Sequence, residues 1–119
     1  MLLIFISYFS TNVYAINCEI SASFSEKTIC NDPFLINLDL ALNDNYKSMT
    51  NSNIGVGARH ELKITQKKWI SEINRCKTKI CILKLYKNRI GEMCDYPVIT
   101  GIHPTCKEYD DVLKTLQTN

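Results

Sequence analysis

Leu35, Leu38, Leu42, Tyr46 and Met49 follow one another at steps of three or four residues, with polar side chains between them. That spacing puts all five on one stripe of a helix. Asp32 and Pro33 stand just ahead of the stripe, in the order of an N-cap residue and an N1 proline, and mark its start. Upstream, Ser23 followed by Glu26 has the form of a capping box and predicts a short first helix over residues 24–31. Residues 50–58, TNSNIGVGA, interrupt the pattern with two glycines and several turn formers. A third stripe then runs through Leu62, Thr65, Trp69, Ile73 and Cys76, and a fourth through Ile82, Tyr86, Ile90 and Met93. Only residues 77–79 remain between them for a turn, so the two form a tight hairpin. Residues 95–105 carry two prolines and a glycine and read as an irregular loop. Residues 106–116 read as a last short helix with Tyr109, Val112, Leu113 and Leu116 available to pack. No strand alternation, fixed-period repeat or low-complexity segment is present. The expected fold is all-α, a small bundle of helical hairpins with four or five helices.

The first fifteen residues, MLLIFISYFSTNVYA, are apolar and too short to span a bilayer comfortably. They end with Val13 and Ala15 at the minus-three and minus-one positions of a secretory signal, although no Lys or Arg precedes the apolar run. Cleavage after Ala15 would start the mature chain near Ile16. Asn17 before Cys18 is not the small residue of a lipobox, so the expectation is a soluble exported protein without stable membrane insertion. About 104 residues then remain, one domain over 16–119 with a C-terminal extension from about residue 94.

All six cysteines, Cys18, Cys30, Cys76, Cys81, Cys94 and Cys106, lie in that mature part. An even count in a small exported chain reads as a disulfide framework, because thiols there meet an oxidising compartment and the core is small. The spacings contain no C-x-x-C pair, and His60 and His103 have no ligand-spaced neighbour, so no metal or cofactor is expected. A thiol nucleophile would need one cysteine left unpaired beside a histidine. Six cysteines allow fifteen pairings, of which the simplest is sequential. The two longer sequential bridges would contribute about 2–3 kcal/mol each and the short one less.

Motifs for catalysis are missing: there is no G-x-S-x-G, no H-E-x-x-H and no phosphate-cradling glycine loop. Glu26 and Asp32 are better explained as helix-start residues than as an acid/base pair. The expectation is a protein that is not an enzyme. Net charge is only +2, but residues 59–89 carry +8 and the segments on either side −3 each. Arg59, Lys63 and Lys67 recur every fourth residue and share one helical face, either a solvated surface or an attraction for an acidic partner or anionic wall polymer. Nucleic acid is not an expected partner for an exported chain of this modest charge. Trp69 reads as a core aromatic or a partner anchor, and Asp39 with Arg89 as an ion pair between the second and fourth helices or as ligand-facing groups. Tyr46 and Tyr86 are expected to bury their rings and leave their hydroxyls at the surface.

Several of these residues together carry a family resemblance. Glu26-Lys27-Thr28-Ile29-Cys30, then Asp32, Leu35, Leu38-Asp39, Leu42 and Tyr46, then Gln66, Trp69 and Cys76, then Cys81, Tyr86 and Arg89 resemble the N-terminal domain of LprI-like lysozyme inhibitors. The resemblance spans residues 18–93; this chain lacks the lipobox of the named inhibitor and adds the tail from Cys94. It implies a helical, disulfide-stapled envelope domain without catalytic apparatus. Members are described as lysozyme inhibitors, and similar proteins as periplasmic immunity partners of toxins that attack or remodel peptidoglycan. Recognition is expected from the loops, at Ile54, Gly55, Val56 and Gly57 and at Ile99, Ile102 and His103, where branched apolar residues flank glycine. Ile54 and Ile102 have the alternative of tucking into the core as loop anchors. Two functions are left: a periplasmic protein that binds and inhibits a peptidoglycan-targeting enzyme, and a structural envelope protein that associates with the wall through its basic hairpin.

Overall fold

Ser23 Oγ accepts the Glu26 N–H while the Glu26 carboxylate accepts the Ser23 and Ala22 N–H groups, and this capping box starts the first helix. The protein is described from a computed structural model covering residues 16–20, 22–99 and 101–117. The expected signal segment, 1–15, lies outside these residues. Five helices follow one another: α1 (Phe24–Cys30), α2 (Pro33–Thr50), α3 (Val56–Ile73), α4 (Lys79–Cys94) and α5 (Tyr109–Gln117). No strand occurs among the described residues, and the fold is all-α.

The stripes of α2, α3 and α4 read from the sequence form the core, apart from half-buried Thr65, whereas in α5 Val112 is buried but Leu113 and Leu116, also expected to pack, are exposed. Leu35, Leu38, Leu42 and Met49 of α2 face Ile82, Tyr86, Ile90 and Met93 of α4, and all are buried. α4 touches every other helix and meets α2 most extensively, whereas α3 packs mainly on α4 through Leu62, Trp69 and Ile73. α4 is therefore the central rod. At about 25 cal/mol per Å² of apolar surface, each fully buried Leu or Ile in this seam contributes about 1.5–3 kcal/mol before entropy is counted.

Three disulfides close the ends of the elements: Cys18–Cys30, Cys76–Cys81 and Cys94–Cys106. The pairing is sequential, and no cysteine is free. The first ties the segment ahead of α1 to the end of that helix, the second pins the α3–α4 hairpin, and the third closes the loop between α4 and α5. No helix of the described residues is long and apolar enough to cross a membrane.

Several boundaries differ from the sequence pattern. α3 already begins at Val56, inside the stretch 50–58 that reads as a break, so Val56 and Gly57 of the expected loop belong to the first turn of a helix. The α3–α4 turn takes residues 74–78, because Thr78 caps α4 by accepting the Cys81 N–H at 3.1 Å and Ser25 of α1 donates to the Ile73 carbonyl at the end of α3. α5 begins at Tyr109, not at Cys106. The Asn45 side chain accepts the Lys107 N–H at 2.9 Å and donates to its carbonyl at 2.8 Å, satisfying that backbone outside a helix.

Asp32 caps α2 by accepting the Phe34 and Leu35 N–H groups, and it pairs with Lys79 at the start of α4. Partial burial raises its pKa, but the Lys79 ammonium and the backbone donors prevail and hold the carboxyl below its ordinary value of 3.8. The cap is worth about 1 kcal/mol and the partly exposed ion pair adds little. Asp32→Ala should lower stability by about 1 kcal/mol at neutral pH in denaturant unfolding. Because the folded pKa is depressed, this contribution is present above pH 3.8 and is lost as pH falls through the lower folded value. The gap between parent and variant should close over that acid range; a gap unchanged by acid would contradict the cap assignment.

Candidate functional site

The two loops singled out in the sequence meet in space. Asn53 O accepts the Ile99 N–H at 2.9 Å, which joins the α2–α3 turn to the α4–α5 loop. Gly55, the N-cap of α3, has φ +91°, a conformation that favours glycine, and a Cβ there would stand 3.4 Å from Ile99 Cδ1. Ile54, at 6% exposure, is buried in the core. Of its two readings the structure takes the anchor, with the side chain in the core cluster. Val56, Ile99 and Ile102 are exposed at 81%, 69% and 80%. Gly57 and Gly101 are exposed beside them, Gly101 with φ +80°.

A groove runs along this junction between Ala58 and Glu61 of α3 and Tyr96, Pro97 and Val98. The sequence reading missed these residues, although Tyr96-Pro97-Val98 immediately before Ile99 is itself an apolar run. Tyr96 hydroxyl donates to the Ala58 carbonyl at 3.4 Å, and burial followed by the nearby Glu61 carboxylate raises its pKa. His103 is half-buried, with Nδ1 2.8 Å from the Pro104 carbonyl oxygen, a distance that calls for the Nδ1-protonated form. Cys94–Cys106 and the Asn45 clamp on Lys107 fix the far end of the loop.

The basic stripe divides. Arg59 Nε donates to Thr50 O at 2.8 Å and Nη2 to Ser52 O at 3.1 Å, so its guanidinium caps the end of α2 and is not offered to a partner. Lys63 and Lys67 are exposed and belong to none of the ion pairs among the described residues.

Inside the bundle the polar groups are rearranged from the expected pairing. Asp39 and Arg89 do not pair with each other. Asp39, 5% exposed, accepts the Tyr86 hydroxyl on Oδ1 at 2.9 Å and the Ile16 N–H on Oδ2 at 2.8 Å. Arg89 instead faces α3, with Nε on Gln66 Oε1 at 2.8 Å, Nη2 on Thr65 Oγ1 at 3.1 Å and Nη1 on Glu92 Oε1 at 3.0 Å. The two residues sit on opposite sides of α4's axis because α4 lies between α2 and α3. The hydroxyl of Tyr86 is inside, not at the surface, and Tyr46 is also buried. Trp69 takes the core role: its ring meets Tyr86 edge-on, centroids 5.1 Å apart, and Nε1 donates to Leu85 O at 3.0 Å. Burial raises the Asp39 pKa against the two hydrogen bonds that lower it, and burial followed by the Asp39 charge raises that of Tyr86.

Among the described residues no three His, Cys, Asp or Glu side chains are grouped to hold a metal. What the loop junction offers chemically is exposed branched apolar surface, at Ile99 beside the backbone bond to Asn53. No protein-family model matches the chain, and no curated protein or solved structure matches it.

Tyr86→Phe should remove one of the two donors to a buried carboxylate while keeping the ring against Trp69. The expected cost is about 1–3 kcal/mol, read as a lower denaturant midpoint at unchanged m value. A variant as stable as the parent would show that the hydroxyl contributes nothing to the seam.

Proposed function

We propose that the protein is a non-catalytic binding protein of the periplasm that inhibits a peptidoglycan-targeting enzyme, as LprI-like lysozyme inhibitors do or as the immunity partner of a wall-directed, secretion-system toxin. The observation that carries this reading is the joined loop surface: Val56, Ile99 and Ile102 stand out from a backbone held by Gly55, the Asn53–Ile99 hydrogen bond and Cys94–Cys106. A rigid apolar ridge of this kind can enter an enzyme's cleft and occlude it without chemistry of its own, and a few buried contacts can supply most of the affinity. The resemblance of residues 18–93 to the inhibitor family supports the class of target. The three disulfides fit an oxidising compartment such as the periplasm.

The alternative is a structural envelope protein that associates with the wall through its basic hairpin, and the observation favouring it is that Lys63 and Lys67 are exposed and in none of the ion pairs among the described residues. Affinity capture from periplasm separates the two: one stoichiometric peptidoglycan-active enzyme is expected, and sacculus material alone would favour the alternative. With that enzyme as ligand, Ile99→Asp and Ile102→Asp should each weaken binding by about 30-fold or more, while both variants melt like the parent. Lys63→Glu should change affinity only a few-fold. Loop variants that bind as tightly as the parent, with Lys63→Glu abolishing binding, would move recognition to the basic helical face.

A further inference from the structure

Asp39 is a buried carboxylate whose hydrogen-bond donors among the described residues are a phenol and a backbone N–H, and none of the ion pairs among those residues includes it. That backbone nitrogen belongs to Ile16, the residue at which the signal reading starts the mature chain. We propose that signal cleavage creates the counter-charge of Asp39: the new α-ammonium of Ile16 docks on the Asp39 carboxylate and completes the core, so that processing and final folding are coupled. The inference rests on the signal reading and not on the proposed target.

The chemistry balances with water and an export peptidase. Hydrolysis of the Ala15–Ile16 peptide bond leaves a carboxylate on Ala15 and an amine on Ile16, which is protonated near neutral pH. An amide N–H presents one donor without charge; the ammonium at the same place presents three and a full positive charge. The nitrogen already lies 2.8 Å from Asp39 Oδ2, within the range of a charge-assisted bond, while Oδ1 holds the Tyr86 hydroxyl at 2.9 Å. No movement of the chain is needed to form the pair.

The setting also suits a docked terminus. Chain ends usually fray, but the Ile16 side chain packs against the core and Cys18, two residues on, is bonded to Cys30 at the end of α1. Little freedom remains to be lost. Burial raises the Asp39 pKa in the presence of the amide donor and the phenol, which is the condition a neighbouring cation relieves. Arg89, the cation the sequence suggested for this carboxylate, is committed to Gln66, Thr65 and Glu92.

The test compares the oxidised mature protein, its N-terminus established as Ile16 by intact mass, with a chain that retains Ala15 as a single extra residue. Retaining Ala15 is expected to lower the melting temperature by about 5 °C or more in the parent, and to have no effect in an Asp39→Asn background. Equal melting temperatures for the two parent chains would overturn the ion pair. Should Asp39→Asn fail to fold, the rate at which an acylating reagent modifies the Ile16 amine in the native parent decides the matter. Protection of about tenfold or more relative to the denatured chain is expected, and modification at the denatured rate overturns the proposal. Cleavage found at another bond would overturn the signal reading, and this proposal with it, while leaving the enzyme-inhibitor reading untouched.

Discussion

Asp39 lies at the middle of the seam between α2 and α4 with almost no water left to it, and a carboxylate there must be satisfied by the protein. Tyr86 supplies one donor from α4 and Ile16 the other from the start of the described chain. The seam therefore has one register. Slide α4 by a turn along α2 and the Tyr86 hydroxyl leaves the carboxylate, while the edge contact of Trp69 with Tyr86 and the bonds of Arg89 to Gln66 and Thr65 set the register of α3 on α4. Apolar packing supplies most of the free energy of the seam, while these buried polar groups select which apolar arrangement is allowed. α3, which leans mainly on α4, inherits its position from that choice.

The disulfides tie down helix ends. Each closes a short segment at the end of a helix and limits the unfolded chain. Their consequence for function is geometric. Arg59 fixes the end of α2, Gly55 turns the chain into α3, and Cys94–Cys106 holds the loop that bears Ile99 and Ile102. Apolar residues on such a backbone lose little entropy when a partner covers them, which is the advantage of preorganisation.

Periodicity made the core helices legible, because the stripes of α2 and α4 are buried faces and the starts of α1 and α2 carry local signals, Ser23 with Glu26 and Asp32 with Pro33, whereas α3 starts at Gly55 without a side-chain cap. The simplest cysteine pairing was also visible, since neighbours in sequence fall at the two ends of one short segment. Less legible were the partners of buried polar groups. Asp39 and Arg89 are opposite charges on adjacent helices, and only the placement of α4 between α2 and α3 shows that they point apart. Arg59 belongs by spacing with Lys63 and Lys67, yet the carbonyls it caps lie across a turn whose path no residue pattern encodes. The meeting of the two loops was hidden for the same reason: the Asn53–Ile99 hydrogen bond links backbone atoms of residues 46 positions apart, and backbone atoms carry no sequence signature.

If the α2–α4 seam organises the fold, its amides should be the last to open. Native-state hydrogen exchange on the oxidised protein tests this most directly, since it assigns an opening free energy to each helix separately. The amides of Asp39 to Tyr46 in α2 and of Ile82 to Ile90 in α4 should exchange only through global unfolding, with matching free energies, while α1 and α5 open at lower cost. Exchange of the α4 amides through an opening about 2 kcal/mol or more below the global value, with α2 still protected, would contradict the account.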